Sequence, residues 1–191
     1  MTLPRVGISA LLIGLFLLIL SLPAGSSPTP DCSDSQAWDE VVRGAEGVYA
    51  TVWADSGVVG CRGIRGGLEK SGAESVFAVL QDALDEAGPR RAARVRAARI
   101  SVLGRGQALA LDASFDPSME SLLVSRGEAA VVILRGEART PSYAWRRARA
   151  RLGVPAGAVV FGRVYQTRQY TLDSHALDRW RNLCRPAPGT P

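Results

Sequence analysis

The sequence predicts an α+β domain in which a mixed sheet packs against helices. Apolar residues alternate with a period of two in several short segments, as half-buried strands require, and recur with helical spacing in others. Strands and helices follow one another without the strict alternation of a βαβ protein, which disfavours a doubly wound parallel sheet. The chain has 191 residues, and we find no sequence repeat of domain-building length, so we expect a single domain.

The amino terminus has the anatomy of a secretory signal peptide. Arg5 precedes an uninterrupted apolar run from Val6 to Leu22, and the small residues Ala24-Gly25-Ser26 follow. We therefore expect a secreted or periplasmic protein. Because the apolar run is close to the length that spans a bilayer, an uncleaved membrane anchor over 6–22 is the alternative. The predicted organisation is a signal peptide over 1–26, a linker over 27–34, a domain over 35–184 and a disordered tail over 185–191.

A helix and a hairpin are predicted first. Ser35 can cap the helix, and Gly47 ends it. Residues 47–54 then alternate as a half-buried strand, and Asp55-Ser56-Gly57 supplies the turn. The returning strand, Val58–Gly63, carries two glycines in an extended segment, which indicates a bulge or a close backbone approach.

A second helix and a strand complete the first half of the chain. Ser71 and Glu74 form a capping box for a helix over 72–87, which Gly88-Pro89 stops. The arginine-rich block 90–99 leads into a strand over 100–103. This block is either a solvated connection or the exposed face of an extended strand.

The second half is predicted to contain three strands and two helices. In chain order they are a half-buried strand over 107–115, a helical turn from Asp116, a central strand over 129–134, a helix capped by Thr140 with Pro141 at its first position, a long strand over 158–172 and a helix capped by Ser174. The segment 129–134 is expected at the centre of the sheet because it is apolar throughout.

Several phrases of the chain resemble the AMMECR1 domain family. The matching segments are Gly47–Val52 for the family's G-V-F-V-T-L, Gly60–Gly63 for L-R-G-C-I-G, Ile100–Leu103 for I-S-V-L and Leu134–Ala138 for L-P-Q-V-A. The resemblance covers roughly 40–172 and implies an AMMECR1-like fold. The family's arginine before the Gly-Cys pair is Val59 here, so an activity that needs this arginine is not implied.

The resemblance also implies a functional cleft. Its walls would be Gly60–Gly63, including Cys61 and Arg62, and the turn over 134–140, where Glu137 is the candidate binding residue. We expect this cleft to bind a small ligand or a protein partner, with Gly60, Arg62 and Gly63 as binding residues.

Cys61 is also a candidate catalytic residue, which gives a second hypothesis from another class. Its flanking glycines would expose a nucleophilic or redox-active thiol, and a neighbouring arginine could stabilise the thiolate of an enzyme of thiol or acyl-transfer type. A Cys-His pair would require His175, the only histidine of the chain, with Asp173 orienting it. The alternatives for Cys61 are a buried core position or a disulfide.

Because the chain has three cysteines, an exported protein would have one thiol left over or paired between chains. Cys32 and Cys184 bracket the predicted domain, and domain termini often lie close together, so we expect a bridge between these two. This pairing leaves Cys61 as the free thiol.

The remaining polar residues argue against several kinds of binding site and give little support to any particular one. A single histidine and the absence of Cys-x-x-Cys argue against a structural zinc site, and we expect neither a metal nor a cofactor. The candidate carboxylates near predicted strand ends are Asp112, Asp116, Glu128 and Glu137, none of them in a spaced pair. The arginines over 90–99 and 146–151 could meet phosphates, anionic lipids or an acidic partner, with a solvated face as the simplest reading. A net charge of +5 is too modest to predict nucleic-acid binding.

Overall fold

A computed structural model describes residues 28–66, 71–155 and 157–183, which form a six-stranded sheet and five helices. The strands are β1 (Gly47–Ala54), β2 (Gly57–Arg65), β3 (Ala97–Leu109), β4 (Glu120–Arg126), β5 (Ala129–Ile133) and β6 (Phe161–Asp173). The helices are α1 (Ser35–Val42), α2 (Gly72–Ala87), α3 (Pro89–Ala92), α4 (Pro141–Leu152) and α5 (Ser174–Leu183). The α+β class is confirmed. The expectation of a mixed sheet is wrong, because every strand pair is antiparallel.

The predicted signal peptide over 1–26 and the predicted tail over 185–191 lie outside the described residues. Within the described ranges, no helix combines the length and the apolar character needed to cross a membrane.

The strand order of the sheet is β2-β1-β3-β6-β4-β5. From either edge inward, it runs through the second, the first and then the third strand of one half of the chain. Each half is a ββαβ unit, β1-β2-α2-β3 followed by β4-β5-α4-β6, and α3 is a single extra turn before β3. The two units meet through β3 and β6, which are both 13 residues long. Leu103 and Thr167, the midpoints of these strands, are register partners. The domain therefore contains the ββαβ pattern twice, a structural duplication in which no sequence repeat of that length is found.

A short sequence match survives between the two halves. Val58–Gly63 reads VVGCRG, and Val131–Gly136 reads VVILRG. By strand register the two phrases are offset by two residues, because Gly60 corresponds to Val131 and Arg62 to Ile133. Four identities in six residues are too few to reveal a domain repeat without the strand order.

Hydrophobic clusters lie on both faces of the sheet. On one face, α1, α2 and α5 cover β1, β3 and β6, and α4 covers β4 and β5. On the other face, Cys61 of β2 belongs to the same cluster as Val132 of β5. The cluster continues through the strands between these two edges, and the charges of Glu137 and Arg151 in the second half act on Cys61, so the sheet curls and brings its two edges towards each other.

The helix boundaries depend on which polar side chain reaches the first turn. α2 has its predicted bounds, and the Ser71 hydroxyl accepts from the Glu74 N–H at 3.2 Å. Thr140 caps α4 as predicted. The prediction that Ser35 caps the first helix is wrong, because the Asp34 carboxylate accepts from the Ala37 N–H at 2.9 Å.

The other two helix errors have similar causes. α1 ends at Val42 rather than at Gly47, and Gly44 with a φ of 70° follows this end. At α5, Asp173 rather than Ser174 caps the first turn, since its carboxylate accepts from the Ala176 N–H at 2.8 Å.

Three strand predictions are wrong. The expected strand over 100–103 and residues 107–109 of the one expected over 107–115 are parts of one strand, β3, whose pairing with β6 shifts register between Leu103 and Gly106, while 110–115 form no strand. β4 was not predicted, because its apolar core Leu122–Val124 is short and flanked by serines. The segment expected at the centre forms β5 at an edge, where it is apolar because α4 packs on one of its faces and the cluster around Leu134 on the other.

The two terminal helices pack against each other through aromatic rings. Trp38 of α1 and Trp180 of α5 meet edge to face, with ring centroids 5.6 Å apart. Cys32 is buried near the beginning of α1 and lines a small cavity together with Trp180. Cys184 lies outside the described residues, so its pairing with Cys32 stays a prediction.

The cap of α1 can be tested by a matched pair of substitutions. We expect Asp34→Ala to lower the free energy of unfolding by about 1 kcal/mol, because it leaves a helix N–H without its acceptor. Ser35→Ala, one residue later, should change it by only a few tenths, about the size of ordinary surface effects. Urea denaturation of both variants measures the difference. A larger loss for Ser35→Ala would contradict the assignment of Asp34 as the cap.

Candidate functional site

Cys61 lies on β2, on the face of the sheet opposite to α2. It is half-buried in the cluster of Leu103, Leu123, Leu134 and Tyr165. It is a free thiol, as predicted from the cysteine count. Cys61 is therefore part of a packed surface and not an exposed side chain between two glycines.

The surroundings of Cys61 favour the protonated thiol. Burial raises the pKa of Cys61 above its ordinary value, and a hydrogen bond with Thr51 opposes this, the Oγ1 and Sγ atoms being 3.4 Å apart. The negative charges of Glu137 and Glu86 raise the pKa further, and Arg151 lowers it. A nucleophilic cysteine requires the reverse balance.

The chain provides no histidine base beside Cys61. His175 is exposed at the beginning of α5, and it lines the small cavity that contains Cys32. α5 packs through Leu177 onto the face of the sheet opposite to the thiol. The Cys-His pair considered from the sequence is thus not formed, and Asp173 acts as the cap of α5 instead.

The two glycines beside Cys61 are explained by packing. A Cβ atom on Gly60 would overlap the carbonyl oxygen of Ala83, because α2 lies directly against β2. A Cβ atom on Gly63 would overlap the ring of Tyr49, its register partner on β1. Each glycine is needed because a neighbouring group fills the space of a side chain.

Glu86, in the last turn of α2, reaches the edge of the sheet beside Cys61. The Cys61 N–H donates to Glu86 Oε2 at 2.7 Å, and the Arg62 guanidinium lies 3.5 Å from Glu86 Oε1. One carboxylate thus bridges a backbone amide and an arginine of the Gly60–Gly63 motif. In the sequence, nothing distinguishes Glu86 from any other solvated acid on a helix.

Glu137 lies near Cys61, as the predicted cleft required. Its carboxylate is 3.1 Å from Arg151 and 3.9 Å from Arg147, and its charge acts on the thiol. Arg151 also donates to the carbonyl oxygen of Val132 at 3.3 Å, on the edge strand β5. The curled sheet therefore brings the Cys61 motif and the turn after β5 to one region, which we call the seam.

The other candidate carboxylates lie elsewhere. Asp112 pairs with Arg149 at 3.1 Å, and Asp116 accepts hydrogen bonds from the backbone and side chain of Ser118 in its own turn. Glu128 is exposed in the turn between β4 and β5. None of the three comes together with Cys61 in the way that Glu137 does.

The predicted arginine faces are largely used within the fold. On α4, the ion pairs described above engage Arg147, Arg149 and Arg151, while Arg146 lies over the ring of Tyr143. In the block 90–99, Arg96 is 3.9 Å from Asp55, and Arg99 lies over the ring of Trp53. The block 90–99 is nevertheless a solvated face, since most of its arginines are exposed, whereas the arginines of α4 are mostly paired.

Two cavities among the described residues lie away from the seam. One, of about 550 Å³, lies between α2, α3 and α5, and the other, of about 330 Å³, lies beside Cys32. Among the described residues, no group of three or more histidine, cysteine, aspartate and glutamate side chains could hold a metal ion. The seam is a surface region flanked by charged side chains.

Comparisons with known proteins add no relative to this picture. No protein-family model matches the chain, and a search of curated proteins finds no match.

The close approach of α2 to β2 predicts a large effect at Gly60. We expect Gly60→Ala to destabilise the domain by about 3 kcal/mol, because the new methyl group must displace the backbone of α2. Gly157→Ala is the matched control, since a Cβ atom there meets nothing within 4 Å. Thermal and urea denaturation of the two variants measure the difference. Equal stabilities would show that Gly60 has another reason to be glycine.

Proposed function

We propose that this chain is an exported domain of AMMECR1-like fold that binds a protein partner at the seam, beside Gly60–Gly63 and Glu137. The observation that carries the proposal is the open edge of β2 at the predicted motif. β2 is the last strand of the sheet, and among the described residues it pairs only with β1. An edge strand of this kind can accept an extended segment of another protein as an additional strand.

The backbone of β2 supports this mode of binding. In an antiparallel ladder, alternate residues direct their N–H and C=O groups away from the neighbouring strand. The N–H of Cys61 bonds to Glu86 and not to β1, so Cys61 and, two residues on, Gly63 belong to the outward set. Gly63 is also exposed and has no side chain to obstruct an approaching backbone.

The side chains along β2 suit a protein partner better than a small ligand. Val58 is 59% exposed, and Arg62 and Arg65 are exposed on the same strand. Neither of the two cavities lies here, whereas small molecules usually bind in concave sites that bury most of their surface. A partner strand needs a free edge and no cavity.

An enzyme of thiol or acyl-transfer type is the alternative, and the environment of Cys61 disfavours it. The thiol is half-buried, its pKa is raised, and His175 lies on the other side of the sheet.

Export remains part of the proposal because of the signal-like sequence over 1–26, with a membrane anchor over 6–22 as the alternative.

The alkylation rate of Cys61 as a function of pH distinguishes the two functions. Because burial and the nearby carboxylates raise the pKa of Cys61, we expect its alkylation by iodoacetamide to rise only above the pH range of an ordinary thiol. Glu137→Gln should move the midpoint to lower pH, and Glu128→Gln, in the exposed turn, should leave it unchanged. Mass spectrometry of the Cys61 peptide gives the rates. A wild-type midpoint below the ordinary range would favour the enzyme.

Partner binding is tested by photo-cross-linking in cells that produce the protein. A photoreactive residue in place of Val58 should give one discrete adduct, and the same residue in place of the exposed Tyr143 on α4 should not. Excess purified wild-type protein should abolish the adduct, and Arg65→Glu protein should compete at least fivefold less well. Adducts of equal yield at both positions, or none at Val58, would refute binding at the β2 edge.

A further inference from the structure

We propose that Glu86 occupies the site of a partner's carboxylate, so that the seam binds an extended acidic segment which must displace Glu86. The inference rests on the proposed function and adds the chemistry of the partner and a self-inhibiting contact. It starts from the bridging carboxylate, which takes one hydrogen bond from the Cys61 N–H and one ion pair from Arg62.

An amide and a guanidinium directed at one point form a carboxylate-binding site. Hydrogen bonds to a charged acceptor are stronger than those between neutral groups, and arginine is well suited to carboxylates. The amide belongs to the outward set of β2, which a partner strand would use. A glutamate or aspartate beside the partner's backbone could therefore contact Arg62 while the partner's carbonyl accepts from Cys61.

Helix stability does not explain Glu86. The carboxyl end of a helix carries a partial negative charge, so an acidic side chain in the last turn is unfavourable there. α2 nevertheless has Asp85 and Glu86 in its last turn and no basic residue. The favourable contacts of Glu86 lie on β2, which indicates that its position is determined by the edge strand.

The second half of the duplication provides an internal comparison. There, Arg151 in the last turn of α4 donates to the edge carbonyl of Val132. Arg151 suits its helix end and is held by Glu137, which also contacts Arg147. At each edge, a charged side chain from the helix of the same half contacts one outward backbone group of the edge strand. Only at β2 is that side chain unfavourable for its own helix. Glu86 is also about one-third exposed, so a competing carboxylate can reach its contacts.

The charge of β2 fits an acidic partner. Arg62 and Arg65 are both exposed on this strand, and of the two only Arg62 has an ion-pair partner among the described residues. Displacing Glu86 would transfer Arg62 to the partner's carboxylate, and Arg65, on the opposite face of the strand, adds positive charge to the same edge.

The test uses a probe peptide and the mature wild-type protein. The probe is a blocked six-residue peptide of alternating glutamate and valine, and its control carries glutamine in place of glutamate. Binding is followed by the amide NMR signals of Cys61 and Gly63. We expect Glu86→Gln to bind the acidic probe at least tenfold more tightly than the wild type, and the glutamine probe at least tenfold more weakly than the acidic one. Arg62→Gln in the Glu86→Gln protein should remove the gain.

Two further variants control for folding and position. Glu74→Gln changes an acid in the first turn of the same helix and should leave the affinity unchanged. Glu86→Asp keeps the charge but shortens the side chain, and it should also bind the acidic probe more tightly. Equal binding of the acidic probe to wild type and both Glu86 variants would overturn the role of Glu86 while leaving strand addition intact. If no β2 signal shifts in any variant and no Val58 adduct forms, the proposed function fails as well.

Discussion

The pairing of β3 with β6 is the constraint on which the rest of the structure depends. It joins the two ββαβ units along their longest strands, with Leu103 and Thr167 at its midpoint. The remaining strands extend outward from this pair, two on each side. Because antiparallel neighbours twist in one direction, the sheet curls around the central pair, and β2 and β5 approach each other. The seam exists only because the curl brings these distant edges towards each other.

The fold could be predicted from the sequence where local chemistry decides the structure. α2 was predicted with correct bounds because Ser71 caps it and Gly88-Pro89 stops it, both within a few residues. The errors arose where contacts between distant residues decide. Gly104 and Gly106 look like the end of a strand, yet pairing with β6 carries β3 through them. The duplication itself is visible only in the strand order, since its two halves have kept little common sequence.

The candidate site was predictable in part. Cys61 and Glu137 were chosen from motifs, and the curl of the sheet brings both to the seam. Packing against Ala83 and Tyr49 explains why Gly60 and Gly63 have no side chain, and the sequence does not show which groups are their neighbours. Glu86 could not be found, because it is 25 residues from Cys61 and only the docking of α2 brings the two together.

The repetition of the ββαβ pattern lets corresponding edge positions carry different side chains. By strand register, Gly60 and Cys61 of the first half correspond to Val131 and Val132 of the second, which pack against the hydrophobic clusters on the two faces of the sheet. The second edge thus combines apolar packing with Arg151, a cation that suits its helix end. The first edge has a glycine, a half-buried thiol and an acid that is unfavourable for its helix. One backbone pattern therefore presents two chemically different edges, one apolar and one polar.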